Sequence, residues 1–318
     1  MRKIVILDGI SMGNVDFSLL DSLGEVTYYD LTEDNEVASR IQDANVILTN
    51  KVELNRDNLS NAKNLELICE MATGFNNIDI EYAKEKGIAV TNVAGYSTNS
   101  VAQHTFATLL HLYNEIAYYD DYVKSGNYAK SPIFTHIDRE FNDISGKTWG
   151  IIGLGAIGRK VAAIATAFGA KVQYYSASGN NNNADYTKVE LDELLSTSDI
   201  ISIHAPLNDK TLGLINYENL KKMKKSSVLV NMGRGPIVKE EDLAKALDEG
   251  LIKGAALDVF VSEPIGKDSP LLQIKNKDRL VATPHIAWAS VEAREKLFGY
   301  LIENIEAFYK GEKKNRIV

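Results

Sequence analysis

The chain has 318 residues, of which 45% are apolar and 25% charged, a length suited to about two globular domains. Its 35 Lys and Arg against 43 Asp and Glu leave a formal charge of −8, which argues against a nucleic-acid binder held by a basic surface but not against small anionic substrates in a local pocket. Cys69 is the single cysteine, so an intramolecular disulfide and a cysteine-cluster metal site are excluded and a reducing cytosol is the expected compartment.

The opening apolar run meets Asp8 too early for a signal-peptide core and reads as a first strand. No apolar run approaches the roughly 18 residues of a membrane helix. Short apolar runs over 3–7, 26–29, 46–49, 65–69 and 88–91 predict strands, with helices between them, such as one over 36–43. Strands alternating with helices imply a parallel sheet covered on both faces, a small doubly wound unit. Val101, Phe106, Leu109, Leu110, Leu112, Ile116 and Tyr119 then keep a helical period, predicting one long helix over 100–123 with Asn99 or Ser100 as its cap. The polar, irregular stretch 125–145, with Pro132, Tyr128, Phe134 and Phe141, reads as a linker or an arm laid on a partner.

A second series begins at Lys147. Strands over 148–152, 172–175, 200–204, 228–231, 256–260 and 280–282 alternate with helices over 157–168, 191–195, 216–223 and 240–247. Six such strands match a dinucleotide-binding domain. The asparagine run 180–183 reads as a surface loop, and no repeat of fixed period is present.

Gly153-Leu154-Gly155-Ala156-Ile157-Gly158 lies between a predicted strand and a predicted helix. There, Gly153 permits the tight turn, Gly155 lets a pyrophosphate approach the backbone, and Gly158 lets the helix lie close on the sheet. The N–H groups of the helix, around Ala156 and Ile157, add partial positive charge near the phosphates. An acid about 20 residues past such a turn ordinarily binds the adenine ribose. Ser176 stands there instead, and no arginine lies between Ser176 and Asp185 to hold a 2′-phosphate, so NAD and NADP both stay open.

Arg234, Glu263 and His285 each follow a predicted strand of the second series, where ligands of open parallel sheets bind. Reducing a 2-keto acid requires hydride on the carbonyl carbon and a proton on its oxygen. An arginine can hold the carboxylate by two charged hydrogen bonds, a histidine can supply the proton, and a carboxylate beside it can orient the ring. Taken singly, Arg234 is an ordinary turn residue, Glu263 a surface acid and His285 a structural cap. His104 and His111 sit on the long helix, where packing is their expected role; His136 lies in the polar stretch, and His204 ends a strand beside the dinucleotide site. No metal-ligand spacing, nucleophile elbow or Gly-Lys-Ser/Thr phosphate loop is present.

With these residues, the whole chain resembles the D-isomer-specific 2-hydroxyacid dehydrogenases. The resemblance rests on the glycine turn, Ile203-His204-Ala205-Pro206-Leu207, Asn231-Met232-Gly233-Arg234-Gly235, Leu257-Asp258-Val259-Phe260 with Glu263-Pro264, and Thr283-Pro284-His285. It implies an α/β chain of two doubly wound parallel-sheet domains: a flavodoxin-like substrate domain (1–99 plus 288–318) and an inserted Rossmann domain (100–287). It further implies that Arg234 binds substrate, His285 is the acid/base and Glu263 supports it. Asp258 would contact the nicotinamide carboxamide. His204, Ala205, Pro206 and Thr211 would lie near the adenosine, with Met232 and Gly233 as further cofactor contacts. The backbone of Ala72-Thr73-Gly74 would meet the substrate carboxylate, and Trp288 would narrow the pocket toward hydroxypyruvate or glyoxylate. The long helix and the arm would form a homodimer interface.

Ser176 departs from the family's usual acid, and Gln103 stands where the family often has Glu. Glu263, where the family's formate dehydrogenases carry glutamine, argues against that reaction. The appended regulatory domain of the long phosphoglycerate dehydrogenases is not expected. A short-type phosphoglycerate dehydrogenase, with Lys51 or Arg56 as the phosphate's cation, and a dinucleotide-sensing corepressor are the alternative readings. The expected partner is a small 2-keto or 2-hydroxy acid, with neither nucleic acid nor membrane.

Overall fold

Short runs rich in Val, Ile and Leu make strands, and the more polar stretches between them make helices. A computed structural model describes residues 1–318. The chain divides into two units, Met1–Ser97 with Ala289–Val318, and Thr98–Trp288.

In the first unit, β1 (Lys3–Ile6), β2 (Glu25–Tyr28), β3 (Val46–Thr49), β4 (Leu67–Glu70) and β5 (Ala89–Thr91) form one parallel sheet in the order β2-β1-β3-β4-β5. Every residue of β3 and β4 is buried, as central strands covered on both faces require. The order reverses between β1 and β3, the switch point of a flavodoxin-like sheet. The connecting helices are α1 (Asp34–Arg40), α2 (Arg56–Leu59) and α3 (Ile80–Lys86). α1 starts in a capping box of Glu33 and Glu36; α3 starts at Asp79, whose Oδ1 accepts from Tyr82 N, and stops at Gly87 in the left-handed region.

The second unit begins with α4 (Thr98–Tyr113) and α5 (Ile116–Lys124). Its sheet contains β6 (Thr148–Ile152), β7 (Lys171–Tyr175), β8 (Thr187–Lys188), β9 (Ile200–Ile203), β10 (Val228–Asn231), β11 (Gly254–Leu257) and β12 (Leu280–Ala282). The order is β12-β11-β10-β9-β6-β7-β8, all parallel, with the reversal between β6 and β9. This is the dinucleotide-fold order extended by one strand beyond β11. Helices α6 (Ala156–Ala167), α7 (Leu191–Thr197), α8 (Tyr217–Lys222) and α9 (Glu240–Glu249) connect the strands. One face of the sheet packs Ile201, Ile203 and Leu229 under Leu220 and Leu243; the other packs Trp149, Tyr174 and Val230 under Phe106, Leu109 and Val161. The Trp149 indole is fully buried, and its Nε1 donates to Ser202 Oγ at 2.9 Å.

The chain then returns to the first unit with α10 (Val291–Tyr309), which lies on β4 and buries Leu297, Phe298, Leu301 and Ile305. The final residues run antiparallel beside β5, where Thr91 bridges Arg316 and Ile317 N donates to Val90 O at 2.7 Å.

Two sequence expectations are corrected. The single helix over 100–123 is two, because α4 crosses the sheet with one buried face whereas α5 buries nothing; the chain turns at Glu115 (φ 54), whose Oε2 accepts from Arg139 at 3.1 Å. The second sheet has seven strands rather than six, since the two-residue edge strand β8 is too short to show a period. The asparagine run is a surface loop, as expected, and it is tied down: Asn183 N donates to the Tyr174 hydroxyl at 2.8 Å, and Asn181 Nδ2 reaches Leu154 O at 2.6 Å.

The stretch 125–145 folds back on α5. Tyr118 donates to Asp138 at 2.9 Å and accepts from His136 at 2.8 Å, while the Arg139 guanidinium sits 4.0 Å above the Tyr118 ring. Ile133, Phe134, Ile137 and Phe141 are left exposed on it.

Candidate active site

The glycine turn joins β6 to α6 at the switch point of the second sheet, and each glycine has a separate reason. Gly153 adopts φ 93, and a Cβ there would stand 2.6 Å from Ala205 N. A Cβ at Gly158 would stand 2.3 Å from Gly153 O, so only hydrogen allows α6 to lie this close to the strand. Gly155, in contrast, faces open space and caps α6 without a side chain, so the first N–H groups of Ala156 and Ile157 are offered to a ligand. This cradle fits a pyrophosphate.

Beyond β7, Ser176 is nearly buried, with its Oγ 3.4 Å from both Ser178 Oγ and Asn181 N. The neighbouring loop is neutral and polar, so no carboxylate stands at the ribose position. His204 follows β9; both ring nitrogens are buried without a partner, and burial pushes its pKa down to about 3. It is therefore a neutral, flat surface beside the turn. Ala205 packs against Gly153, and Pro206 is exposed. The Thr211 hydroxyl is fully buried and donates to Pro206 O at 2.7 Å, which locks the 206–211 loop rather than facing outward.

β10, β11 and β12 are neighbours whose carboxyl ends lie level: Asn231 pairs with Leu257, and Leu257 with Ala282. Arg234, Glu263 and His285 all follow these ends. Asn231, fully buried, shapes the first loop: its Oδ1 accepts from Gly233 N and its Nδ2 donates to Arg234 O, both at 3.0 Å. Met232 is buried, and a Cβ at Gly233 would stand 2.8 Å from Ala205 O. The Arg234 side chain donates to Gly233 O at 2.9 Å and is part-buried.

Gly235 is pressed against the next loop. A Cβ there would fall 1.9 Å from the Phe260 carbonyl carbon, so the Arg234 loop and the Glu263 loop touch backbone to backbone. Glu240, at the start of α9, holds the same loop: its Oε1 accepts from Val261 N at 2.7 Å and its Oε2 from Ser269 at 3.2 Å. Glu263 Oε1 accepts from Phe260 N at 3.1 Å, and its Oε2 lies 2.7 Å from His285 Nδ1. The His and Glu side chains remain 24% and 29% exposed, so a small ligand can reach them.

A carboxylate at Nδ1 requires the proton there, which leaves Nε2 as the atom that exchanges protons with a ligand. Sequence reasoning missed Asn231, Gly235 and Glu240. A glycine directly after the arginine was the only visible sign of the close approach. Asp258 is 1% exposed, and its carboxylate accepts from Ile286 N and Ala287 N. Trp288 packs against the cluster around Trp149. In the first unit, Ala72 O and Thr73 O accept from Val93 N and Asn92 Nδ2, which holds the 72–74 loop while the Thr73 and Gly74 N–H groups donate to nothing.

Such a sheet order, with a phosphate cradle at its switch point and an imidazole–carboxylate pair whose glutamate loop touches the loop of an arginine, defines a nicotinamide-dependent oxidoreductase. The family model described as "D-isomer specific 2-hydroxyacid dehydrogenase, NAD binding domain" matches residues 106–287. A hydroxypyruvate reductase of Blautia hydrogenotrophica is 42% identical, covering 98% of each chain. Among solved structures, D-lactate dehydrogenase of Aquifex aeolicus, complexed with NAD and lactic acid, superposes with a TM-score of 0.84 at 30% identity over 98% of this chain and 96% of that one. An acyclic imino acid reductase (Bsp5), complexed with NADPH and D-Arg, gives 0.88 at 29% identity over the full length of both. The chain belongs to the D-isomer-specific 2-hydroxyacid dehydrogenase family and carries its NAD-binding domain.

Proposed function

We propose that the protein reduces small 2-keto acids, hydroxypyruvate or glyoxylate, to the D-2-hydroxy acids. The observation that carries this reading is the 2.7 Å contact between His285 Nδ1 and Glu263, beside the Arg234 loop. Arg234 holds the substrate carboxylate and polarises the adjacent carbonyl. His285 delivers a proton from Nε2 to the carbonyl oxygen, and Glu263 stabilises the imidazolium and fixes the ring. The nicotinamide, when bound, supplies the hydride.

The unit formed by Thr98–Trp288 binds the dinucleotide through Gly153, Gly155, Ala156, Ile157 and Gly158, with His204, Ala205, Pro206, Met232 and Gly233 along its length. In the unit formed by Met1–Ser97 and Ala289–Val318, the N–H groups of Thr73 and Gly74 stand free to bind a carboxylate. Trp288 restricts the acid to about three carbons. Thr211 and Asp258 serve by holding backbone in place. Ser176 admits either NADH or NADPH, since nothing there repels a 2′-phosphate. The exposed Ile133, Phe134 and Ile137 on the arm, with Ile116 and Val123 of α5, support a homodimer through this face. No helix is long and apolar enough to cross a membrane, and with a single buried cysteine a cytoplasmic location is the reading we adopt.

The test is a spectrophotometric panel of 2-keto acids with NADH and with NADPH, including phosphohydroxypyruvate. Turnover of hydroxypyruvate or glyoxylate is expected with both coenzymes. Cofactor binding without turnover of any acid would instead indicate a sensor.

A further inference from the structure

We propose that His104 is a positioning residue for His285, acting through Thr283 and Asp258. The inference rests on the assignment of His285 as the proton donor.

His285 has φ 54, a backbone conformation that residues with a side chain seldom adopt, so its turn must be held from outside. Asp258 does much of that holding. Its main-chain O accepts from His285 N at 2.8 Å. Its carboxylate accepts from Ile286 N at 2.9 Å and from Ala287 N at 2.8 Å. The remaining contacts are the Thr283 hydroxyl, 2.6 Å from Oδ1, and His104 Nε2, 3.5 Å from the same oxygen. A carboxylate can only accept, so Thr283 gives it the single hydroxyl proton. The hydroxyl oxygen lies 2.9 Å from His104 Nε2 and has only lone pairs left to offer. His104 must therefore carry its proton on Nε2 and donate. The chain of hydrogen bonds has one direction, from His104 to Thr283 to Asp258 to the turn, and the longer 3.5 Å approach of His104 to Asp258 runs alongside it.

Ser100, one helical turn before His104 on α4, donates to Ala287 O at 2.6 Å. One face of α4 thus grips the turn at two points, at spacing i and i+4. This gives a buried function to a histidine whose sequence context suggests only helix packing. Removing its donor frees the Thr283 hydroxyl to rotate and loosens the carboxylate that sets the direction of the His285 ring toward Glu263.

The test compares His104→Leu, Thr283→Val, the double variant and Thr283→Ser, with exposed His111→Gln on the same helix as a control. His104→Leu and Thr283→Val should each lower kcat about tenfold while KM for the keto acid changes less than about twofold. The double variant should be no worse than either single one, because both break one chain of bonds. Thr283→Ser, which keeps the hydroxyl, should turn over as the unmodified protein does. The acidic pKa in the pH profile of kcat should move in His104→Leu and not in His111→Gln. A second measurement needs no turnover: the downfield proton NMR signal of His285 Nδ1–H, identified by its loss in His285→Ala, should broaden in His104→Leu. Folded His104→Leu with unchanged kcat, pH profile and resonance would overturn the proposal, as would losses that multiply in the double variant. If the unmodified protein reduces no keto acid, the functional reading fails alone, and the resonance still decides the positioning.

Discussion

Replacing Glu70 by glutamine should make the protein markedly more stable in mild alkali. Glu70 ends β4 and is fully buried; Oε2 accepts from Asn77 at 3.1 Å, whereas Oε1 has no partner. Burial, reinforced by the nearby Asp8 carboxylate and only partly offset by Asn77 and Lys51, pushes its pKa from 4.5 to about 9. The folded protein therefore holds this carboxyl neutral, while the unfolded chain ionises it. A raised pKa gives stability that is complete below pH 4.5 and declines as pH rises toward 9. Each pH unit in that interval costs about 1.4 kcal/mol, so between pH 5 and pH 8 the folded state loses on the order of 4 kcal/mol through Glu70. Glu70→Gln is neutral in both states and removes this loss while keeping the bond from Asn77. Asp8, also raised by burial, remains and leaves a smaller slope of the same sign. Thermal melts of both proteins at pH 5 and pH 8 are the assay. The variant's midpoint should exceed that of the unmodified protein by roughly 10 °C at pH 8 and by little at pH 5. Equal pH slopes in the two proteins would refute the reasoning.

His285→Ala and Arg234→Ala should each lower kcat/KM at least about 100-fold in steady-state assays, with the fold intact by circular dichroism; near-native turnover in His285→Ala would remove it as proton donor. Gly235→Ala forces a methyl to 1.9 Å from the Phe260 carbonyl carbon, and so should part the two loops, lowering kcat/KM at least about tenfold and the melting stability by about 1–3 kcal/mol. Unchanged kinetics would mean that the arginine and glutamate loops do not depend on their contact. Ser176→Asp places a carboxylate at the ribose position and should shift the NADH/NADPH ratio of kcat/KM toward NADH by more than about tenfold. A constant ratio would show that another group sets the preference.

The glycine turn was legible because its chemistry is local: three glycines, a strand before and a helix after. β3, β6 and β10 were read with their observed limits because buried parallel strands are mostly apolar runs. What stayed hidden depends on distant contacts. The turn at Glu115 is set by where the sheet ends, and no residue of 100–123 encodes that edge. Glu240 looks like one acid among three at a helix start; its hold on Val261 appears only when the loop after β11 is placed. Likewise, nothing near His104 in sequence points to Thr283, far along the chain.

The first unit is closed by the last segment of the chain, α10 on β4 and residues 316–318 beside β5. During synthesis, the first ninety-odd residues leave the ribosome with one flank of β4 bare and β5 an open edge. The second unit is contiguous and can bury its own interior first. At about 5–20 residues per second the wait for α10 is on the order of tens of seconds. An unfinished sheet edge over that interval invites pairing with a neighbouring nascent chain. Recovery of soluble protein should therefore be sensitive to how fast the stretch encoding residues 98–309 is translated.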